Sequence, residues 1–384
     1  MFKVVIAHSE DIDTEDVIED LLDQVREDLG DDQPKAGLLF ACVDHDYQQL
    51  VDGVMEAFPA IELVGCTTDA EISTVLGFAE DSVALTLFVS DEVEFAAGVG
   101  RDVSKDPVGS LATAAEEARG KLTKEPALAL FTPTGLTASG STMVEALRSA
   151  LGEEVVLFGG TAGDQWKFEK THQFYGNEVM LDGAPFLLLS TPIKFSSGAR
   201  SGWQPIANKG TVTKVENNVV HEIDNGTAIQ FYRHYLGDGT MDNVGEFPLA
   251  VFEEDGETFF LRAALFGNDE DGTVTFAGDV EMGATVQLTH ASRDAVIGAT
   301  REAVDLAIKE YPGDTPTAAM IFSCAGRRGV LGTRTKEEYE MLQTNFPDLR
   351  MAGFYTYGEI APLDGSKESR FHNETFVSLL LGTE

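Results

Sequence analysis

Short apolar runs alternate along most of the chain with longer segments of helical period, the pattern of buried strands covered by helices. Runs at 38–43, 128–131 and 320–324 are each followed by a polar loop, a helix-like segment and a second apolar run. A glycine-containing loop and another apolar strand then close each unit, at 82–90, 184–191 and 374–381. The spacing predicts helices over 10–29, 48–58, 107–121, 142–151 and 292–311. Asp13 or Thr14 is the natural cap of the first, and Val17, Leu21, Leu22, Val25 and Leu29 form its apolar stripe. Residues 83–88 and 93–99, split by Ser90-Asp91-Glu92, read as a hairpin. The texture changes at 198–202, and 203–289 is β-rich, with a hairpin turning at Asn217-Asn218 and a short helix at 227–236. The expected fold is mixed α/β, with two related lobes of mixed sheets flanked by helices, 1–200 and 201–384.

The loops that close the units resemble one another. Met351 to Pro362 crosses Gly353, Tyr355, Thr356, Tyr357 and Gly358 and arrives at Glu359. Gly65 to Ile72 has glycine and glutamate at the same separation, with Thr68 in the place of Thr356 and Glu71 in that of Glu359. Gly159-Gly160-Thr161-Ala162-Gly163-Asp164 is a shorter version ending in aspartate. A carboxylate just past a glycine at a strand end suits a ligand better than a core, because glycine lets backbone and ligand approach closely. Internal duplication of a strand–helix–strand unit is the reading favoured over ordinary reuse of such units.

Composition changes this picture only by exclusion. An apolar share of 43% supports a packed core, and no run reaches the eighteen or so residues of a membrane span. The N-terminal stretch already reads as a strand, so a cytoplasmic location is expected. Cys42, Cys66 and Cys324 contain no CxxC and fit a reducing compartment. A formal charge of −38, spread along the chain, disfavours nucleic acid and anionic membrane as partners. The loop 132–141, rich in hydroxyls and glycine, precedes a helix and could receive an anion, although ordinary turn chemistry accounts for it and no P-loop signature is present. The loop 267–272 is not a calcium loop, because Gly267 and Gly278 fall where carboxylates are required. With no GxSxG and no HExxH, an enzyme is not expected; a Cys324–His372 hydrolase would rest on two residues alone.

The chain resembles the FIST proteins, sensory modules with an N-terminal and a C-terminal FIST domain. The resemblance rests on the segments 65–72 and 158–164 in the first half. In the second it rests on Gly202-Trp203-Gln204-Pro205, Phe247-Pro248-Leu249-Ala250, the segment 322–327, the segment 353–360 and His372-Asn373-Glu374-Thr375. Ala70 departs from the pattern, standing where the first acidic loop has glycine. The resemblance implies signal transduction through a small ligand, with a separate partner such as a histidine kinase. One branch is associated with haem and nitric oxide sensing. The segment 7–11, together with 67–69 and 75–78, is similar to that branch, which implies non-covalent haem b held by one of seven histidines.

Glu359 is placed to accept a ligand ammonium, and Arg327 to pair with a ligand carboxylate or with Glu359 or Asp164. Gly358, Tyr355, Tyr357, His372, Asn373, Gly160, Asp164, Thr68 and Glu71 complete the ligand-binding candidates. Cys324, also among them, fits a small core residue better than a nucleophile. Trp203 and Pro205 are expected to seal the junction of the halves. Metal ligands, ligand identity and oligomeric state are not legible.

Overall fold

The computed structural model describes residues 1–237, 244–363 and 366–384. Among them, three six-stranded mixed sheets are built on one plan and a nine-stranded antiparallel sheet stands apart. The first unit runs through strand Phe2–Ser9, helix Thr14–Leu29, strand Ala36–Ala41, helix Tyr47–Ala57, strand Glu62–Thr67, the short strands Ala70–Ser73 and Gly77–Ala79, and strand Val83–Ser90. The second repeats that order from Phe95–Arg101 to Gly183–Ser190, and the third from Lys194–Arg200 to Phe376–Gly382. The β-rich segment is inserted into the third unit, between Lys194–Arg200 and helix Arg293–Lys309. The first two units form the N-terminal lobe, and the third with its insertion the C-terminal one.

Local chemistry explains the elements. Asp13 caps the first helix by accepting from the Glu15 N–H, and Val17, Leu21, Leu22, Val25 and Leu29 are buried beneath it. Asp106 caps helix Pro107–Lys121, with proline in its first turn, and Ser292 caps Arg293–Lys309. The central strands are apolar on both faces, because helices cover one side and the other units press on the other. Phe40, Phe322 and Phe354 meet in that shared core, with ring centroids 4.4 Å apart for Phe40 and Phe354 and 5.7 Å for Phe322 and Phe354.

Each unit gives its short hairpin away. Ala70–Ser73 pairs with Arg350–Thr356 of the third sheet, Gln173–Tyr175 with Glu62–Thr67 of the first, and Glu359–Pro362 with Val156–Gly160 of the second. The exchange closes a ring in which every sheet is completed by a neighbour. Where the chain crosses between sheets, the Asp69 N–H donates to the Tyr355 carbonyl at 3.0 Å. Likewise Gly163 donates to Thr67 at 2.9 Å and Tyr357 to Thr161 at 3.3 Å. These three bonds are counterparts about a pseudo-threefold axis.

Gly65, Gly159 and Gly353 hold the same place in the three units. They lie opposite Leu39, Phe131 and Ile321 of the parallel neighbour and opposite Phe174, Ile360 and Ile72 of the donated hairpin. The counterpart of Glu71 and Glu359 is therefore Gln173, which faces Cys66 as Glu71 faces Phe354 and Glu359 faces Gly160. Asp164, grouped with the two glutamates as the acid that ends a shortened loop, lies before the hairpin instead. A second expectation is also corrected. Val83–Ser90 and Phe95–Arg101 are not a hairpin but belong to different sheets, the first paired with Phe2–Ser9 and Ala36–Ala41 and the second with Gly183–Ser190. Trp203 packs with Leu261, Val296 and Leu331, all of the C-terminal half, so it closes the seam between insertion and body and not, as expected from the sequence, the junction of the halves.

Candidate functional site

A cavity of about 780 Å³ opens between the body and the inserted β-rich sheet. Its wall is formed by the segment from Val103 to Pro107, the hydroxyl-rich loop before helix Gly140–Leu151, an aromatic loop carrying Trp166 and Phe168, the start of helix Ala325–Leu331, Tyr357, Glu374, and the insertion from Asn217 to Asp279.

Asp164 organises the aromatic loop. Its carboxylate accepts from the N–H groups of Phe168 at 2.9 Å, Glu169 at 2.7 Å and Lys170 at 3.0 Å, and from the Tyr357 hydroxyl at 2.5 Å. Tyr357 in turn accepts from the Trp166 N–H at 2.7 Å. The Phe168 ring stacks on that of Tyr357 with centroids 5.0 Å apart, and Trp166 lies 6.0 Å from Phe168. Burial and the bond to Asp164 hold the Tyr357 phenol above its ordinary pKa.

Trp166 (φ +63°), Phe168 (φ +50°), Asn217 (φ +54°) and Glu374 (φ +60°) all line the cavity in left-handed backbone conformations. Such strain is costly for residues with side chains and gathers at binding sites. Glu374 is 1% exposed, and among the described residues its buried Oε2 has no hydrogen-bond donor. Its carboxylate lies over Gly326, where a Cβ would come within 2.3 Å of it. Burial pushes its pKa up to about 8, against the pull of the nearby Arg327 guanidinium.

The structure brings only some of the sequence candidates to this wall. Tyr357 and Cys324 line it. Asn373 supports it, donating to the Tyr357 carbonyl at 3.2 Å. Gly358 anchors the Thr161 N–H at 2.9 Å, and Gly160 receives Thr356 so closely that a Cβ would meet that side chain at 2.6 Å. Burial and the neighbouring Glu359 and Glu374 raise the Cys324 thiol well above its ordinary pKa, which keeps it un-ionised.

Arg327 does not face the cavity. Fully buried, it donates to Glu338 Oε1 at 2.6 Å through Nη2, to Thr300 at 2.7 Å, and to the carbonyls of Val296 and Ser201. Its ion-pair partner is thus Glu338, not Glu359 or Asp164. Tyr355 donates to the same Glu338 at 2.6 Å and is equally buried.

Glu359 is sealed from solvent and accepts from the N–H and hydroxyl of Thr375 at 3.0 and 2.7 Å. The Thr375 hydroxyl also lies 2.7 Å from His372 Nδ1. Burial drives Glu359 well above the carboxylate range and His372 down to about 3. His372 borders a smaller cavity of about 410 Å³ beside Trp203. Thr68 and Glu71 lie apart from both cavities, in a buried chain where both Thr68 and Ser82 are bonded to Glu71, the latter at 2.6 Å. The Ser82 hydroxyl lies 2.8 Å from His8 Nε2, and His8 Nδ1 lies 2.7 Å from Ser73.

Burial raises Glu71 to about 8, with the hydroxyls of Ser82 and Thr68 opposing. An acid raised in the folded state contributes stability fully below its unfolded pKa and loses it as pH climbs through the folded value. Between about pH 5 and 8, Glu71 is therefore expected to steepen the alkaline loss of stability by about 1.4 kcal/mol per pH unit. Denaturant melts of Glu71→Gln across that window should show a shallower slope than wild type. Equal slopes would mean that Glu71 titrates normally.

Among the described residues, no histidine lines the larger cavity, so its wall does not fit a histidine-ligated haem. Both ring nitrogens of His8 are already engaged. Sequence reading missed Trp166, Phe168 and Glu374. The signal was the non-glycine left-handed backbone, which only coordinates reveal.

Solved structures that align with the chain include a cyanuric acid hydrolase at 11% identity, covering 100% of both chains with a TM-score of 0.33. The Thermotoga maritima PurL–FGAR complex follows at a TM-score of 0.23, covering 99% of this chain and 72% of that one. Agreement this loose supports no conclusion about this chain. An uncharacterized protein of Methanocaldococcus jannaschii is 25% identical over 373 residues, covering 85% of this chain and 69% of that protein. One from Mycobacterium tuberculosis is 26% identical over 251 residues, covering 62% of this chain, which spans 64% of it. Residues 35–226 match the FIST N domain and residues 228–362 the FIST C domain. Half of the sequence thus lies within the first match and much of the remainder within the second, so the chain belongs to the FIST family, whose domains are sensory, small-ligand-binding domains of signal transduction.

Proposed function

We propose that this protein is a sensor whose ligand occupies the cavity between body and insertion, and that it regulates a separate partner such as a histidine kinase. The observation that carries the reading is Glu374, buried, its Oε2 without a hydrogen-bond donor among the described residues, and held in strained backbone on a cavity wall. A group in that state is costly to keep unless a ligand satisfies it. The cavity volume is in the range of small-molecule sites, with aromatic rings and a few convergent polar groups. Binding without catalysis is supported by the un-ionised Cys324 and by the engagement of His372 Nδ1 with Thr375. The insertion meets the body across the cavity, so a ligand touching both sides would bias their relative position.

Gly329 lies on helix Ala325–Leu331, and a Cβ there would be 3.7 Å from the Trp166 ring. Gly329→Phe should therefore fill the cavity from a solvent-facing helix position. Equilibrium dialysis of wild type against a cell metabolite extract, read by mass spectrometry, is expected to enrich compounds that Gly329→Phe does not. Identical enrichment by both proteins would exclude the cavity as the sensing site.

A further inference from the structure

The wall of the larger cavity is chemically one-sided. Glu246, Asp279 and Glu374 contribute carboxylates, the loop 137–142 contributes hydroxyls, and Trp166, Phe168 and Tyr357 contribute ring faces or edges. No lysine, arginine or histidine is among the described residues lining it. The two guanidiniums adjacent in sequence to the wall are both engaged, Arg327 with Glu338 and backbone carbonyls and Arg328 with the carboxylate and carbonyl of Asp69. Arg262, behind the hydroxyl loop, is committed to Ser141 at 3.2 Å and to the carbonyls of Asp279 and Phe371, both at 2.9 Å. The seryl hydroxyl of Ser139 is turned to Asp279. A ligand carboxylate would thus meet acids and rings and no cation.

We propose that the ligand of this cavity is an organic ammonium without a carboxylate, its charge seated against Glu374 and its apolar part against Trp166 and Phe168. The inference rests on the sensor reading of the same cavity and names its ligand class. A cation here gains twice: it ion-pairs with a carboxylate whose buried Oε2 otherwise lacks a donor, and it lies within reach of aromatic faces. Phe168 and Trp166 are held for that role by Asp164, whose carboxylate is saturated by the aromatic loop and Tyr357. Asp164 is therefore a positioning residue for the rings.

A proton accompanies the binding. The groups facing Glu374 are the Arg327 guanidinium and Cys324 thiol from the strand–helix junction, and Glu359 from the donated hairpin. Of these, Arg327 is neutralised by Glu338, Cys324 is un-ionised, and burial keeps Glu359 protonated well above the carboxylate range. Glu374 is thus mostly protonated at pH 7 in the empty cavity, and an arriving ammonium displaces that proton to solvent. Affinity rises with pH until Glu374 ionises unaided.

The test uses n-pentylammonium, norleucine (the same chain with a carboxylate added) and 1-pentanol in isothermal titrations at pH 7. Pentylammonium is expected to bind at least tenfold more tightly than norleucine or pentanol, releasing about one proton in buffers of different ionisation enthalpy. Glu374→Gln should weaken pentylammonium at least tenfold, with little change for pentanol. Trp166→Leu, at a 43% exposed position that leaves the core intact, should weaken it several-fold. Norleucine binding as tightly as pentylammonium, and lost in Gly329→Phe, would overturn the ammonium class while leaving the cavity as the sensing site. Pentylammonium binding unaltered in both Glu374→Gln and Trp166→Leu would overturn the placement, and no binding of pentylammonium at all would overturn the class.

Discussion

Gly353→Ala is expected to abolish folding of the whole chain. The added Cβ would lie 1.8 Å from the Ile321 carbonyl oxygen, a ladder acceptor of the parallel neighbour that cannot swing aside as a side chain would. Relief requires separating two central strands whose other edges are also paired, Ala318–Cys324 with Phe376–Gly382 and Arg350–Thr356 with Ala70–Ser73. A cost on the order of 4 kcal/mol or more follows, comparable to the entire stability of many domains. Gly65→Ala and Gly159→Ala, facing Leu39 and Phe131 at 1.9 and 2.0 Å, should behave alike. Soluble yield and a thermal melt decide the matter: a soluble Gly353→Ala protein melting within a few degrees of wild type would show that the strands can part cheaply.

Arg327→Met should be nearly as damaging for an electrostatic reason. The substitution leaves the Glu338 carboxylate buried with hydroxyl donors from Thr300, Ser323 and Tyr355 but no counter-charge. Breaking a buried pair from one side costs roughly 3–5 kcal/mol, because the surviving charge stays desolvated. The double variant Arg327→Met/Glu338→Leu should recover much of that loss. Urea unfolding of the two single variants and the double variant gives the coupling directly. If Arg327→Met kept wild-type stability but lost ligand binding, the guanidinium would be a ligand group after all.

The backbone plan was legible because it depends on local signals: caps at Asp13, Asp106 and Ser292, apolar runs long enough for strands, and glycines placed before an acidic loop. The repeat was legible for the same reason, since Gly65, Gly159 and Gly353 recur for one steric cause. What sequence distance could not supply was the partner of each element. Reading 159–164 as a shortened loop ending in an acid grouped Asp164 with Glu71 and Glu359, whereas the hairpin register assigns that place to Gln173. Arg327 looked like a ligand group because a cation at a strand end has no visible partner until helix Lys336–Asn345 brings Glu338 against it. Trp166 and Phe168 carried no motif at all. Their role comes from a loop conformation imposed by Asp164, which is a tertiary effect.

The exchange of hairpins also sets an order of events during synthesis. The first sheet can be completed as soon as Glu178–Met180 has left the ribosome. The second cannot, because the strand beside Val156–Gly160 is Glu359–Pro362, made some two hundred residues later. Until then the nascent N-terminal half carries a bare strand edge of its own, along with a hairpin at Ala70–Ser73 that has no sheet to join. Such an edge recruits other strands. A stalled or prematurely ended chain would therefore be hazardous in its oldest part, far from the missing residues.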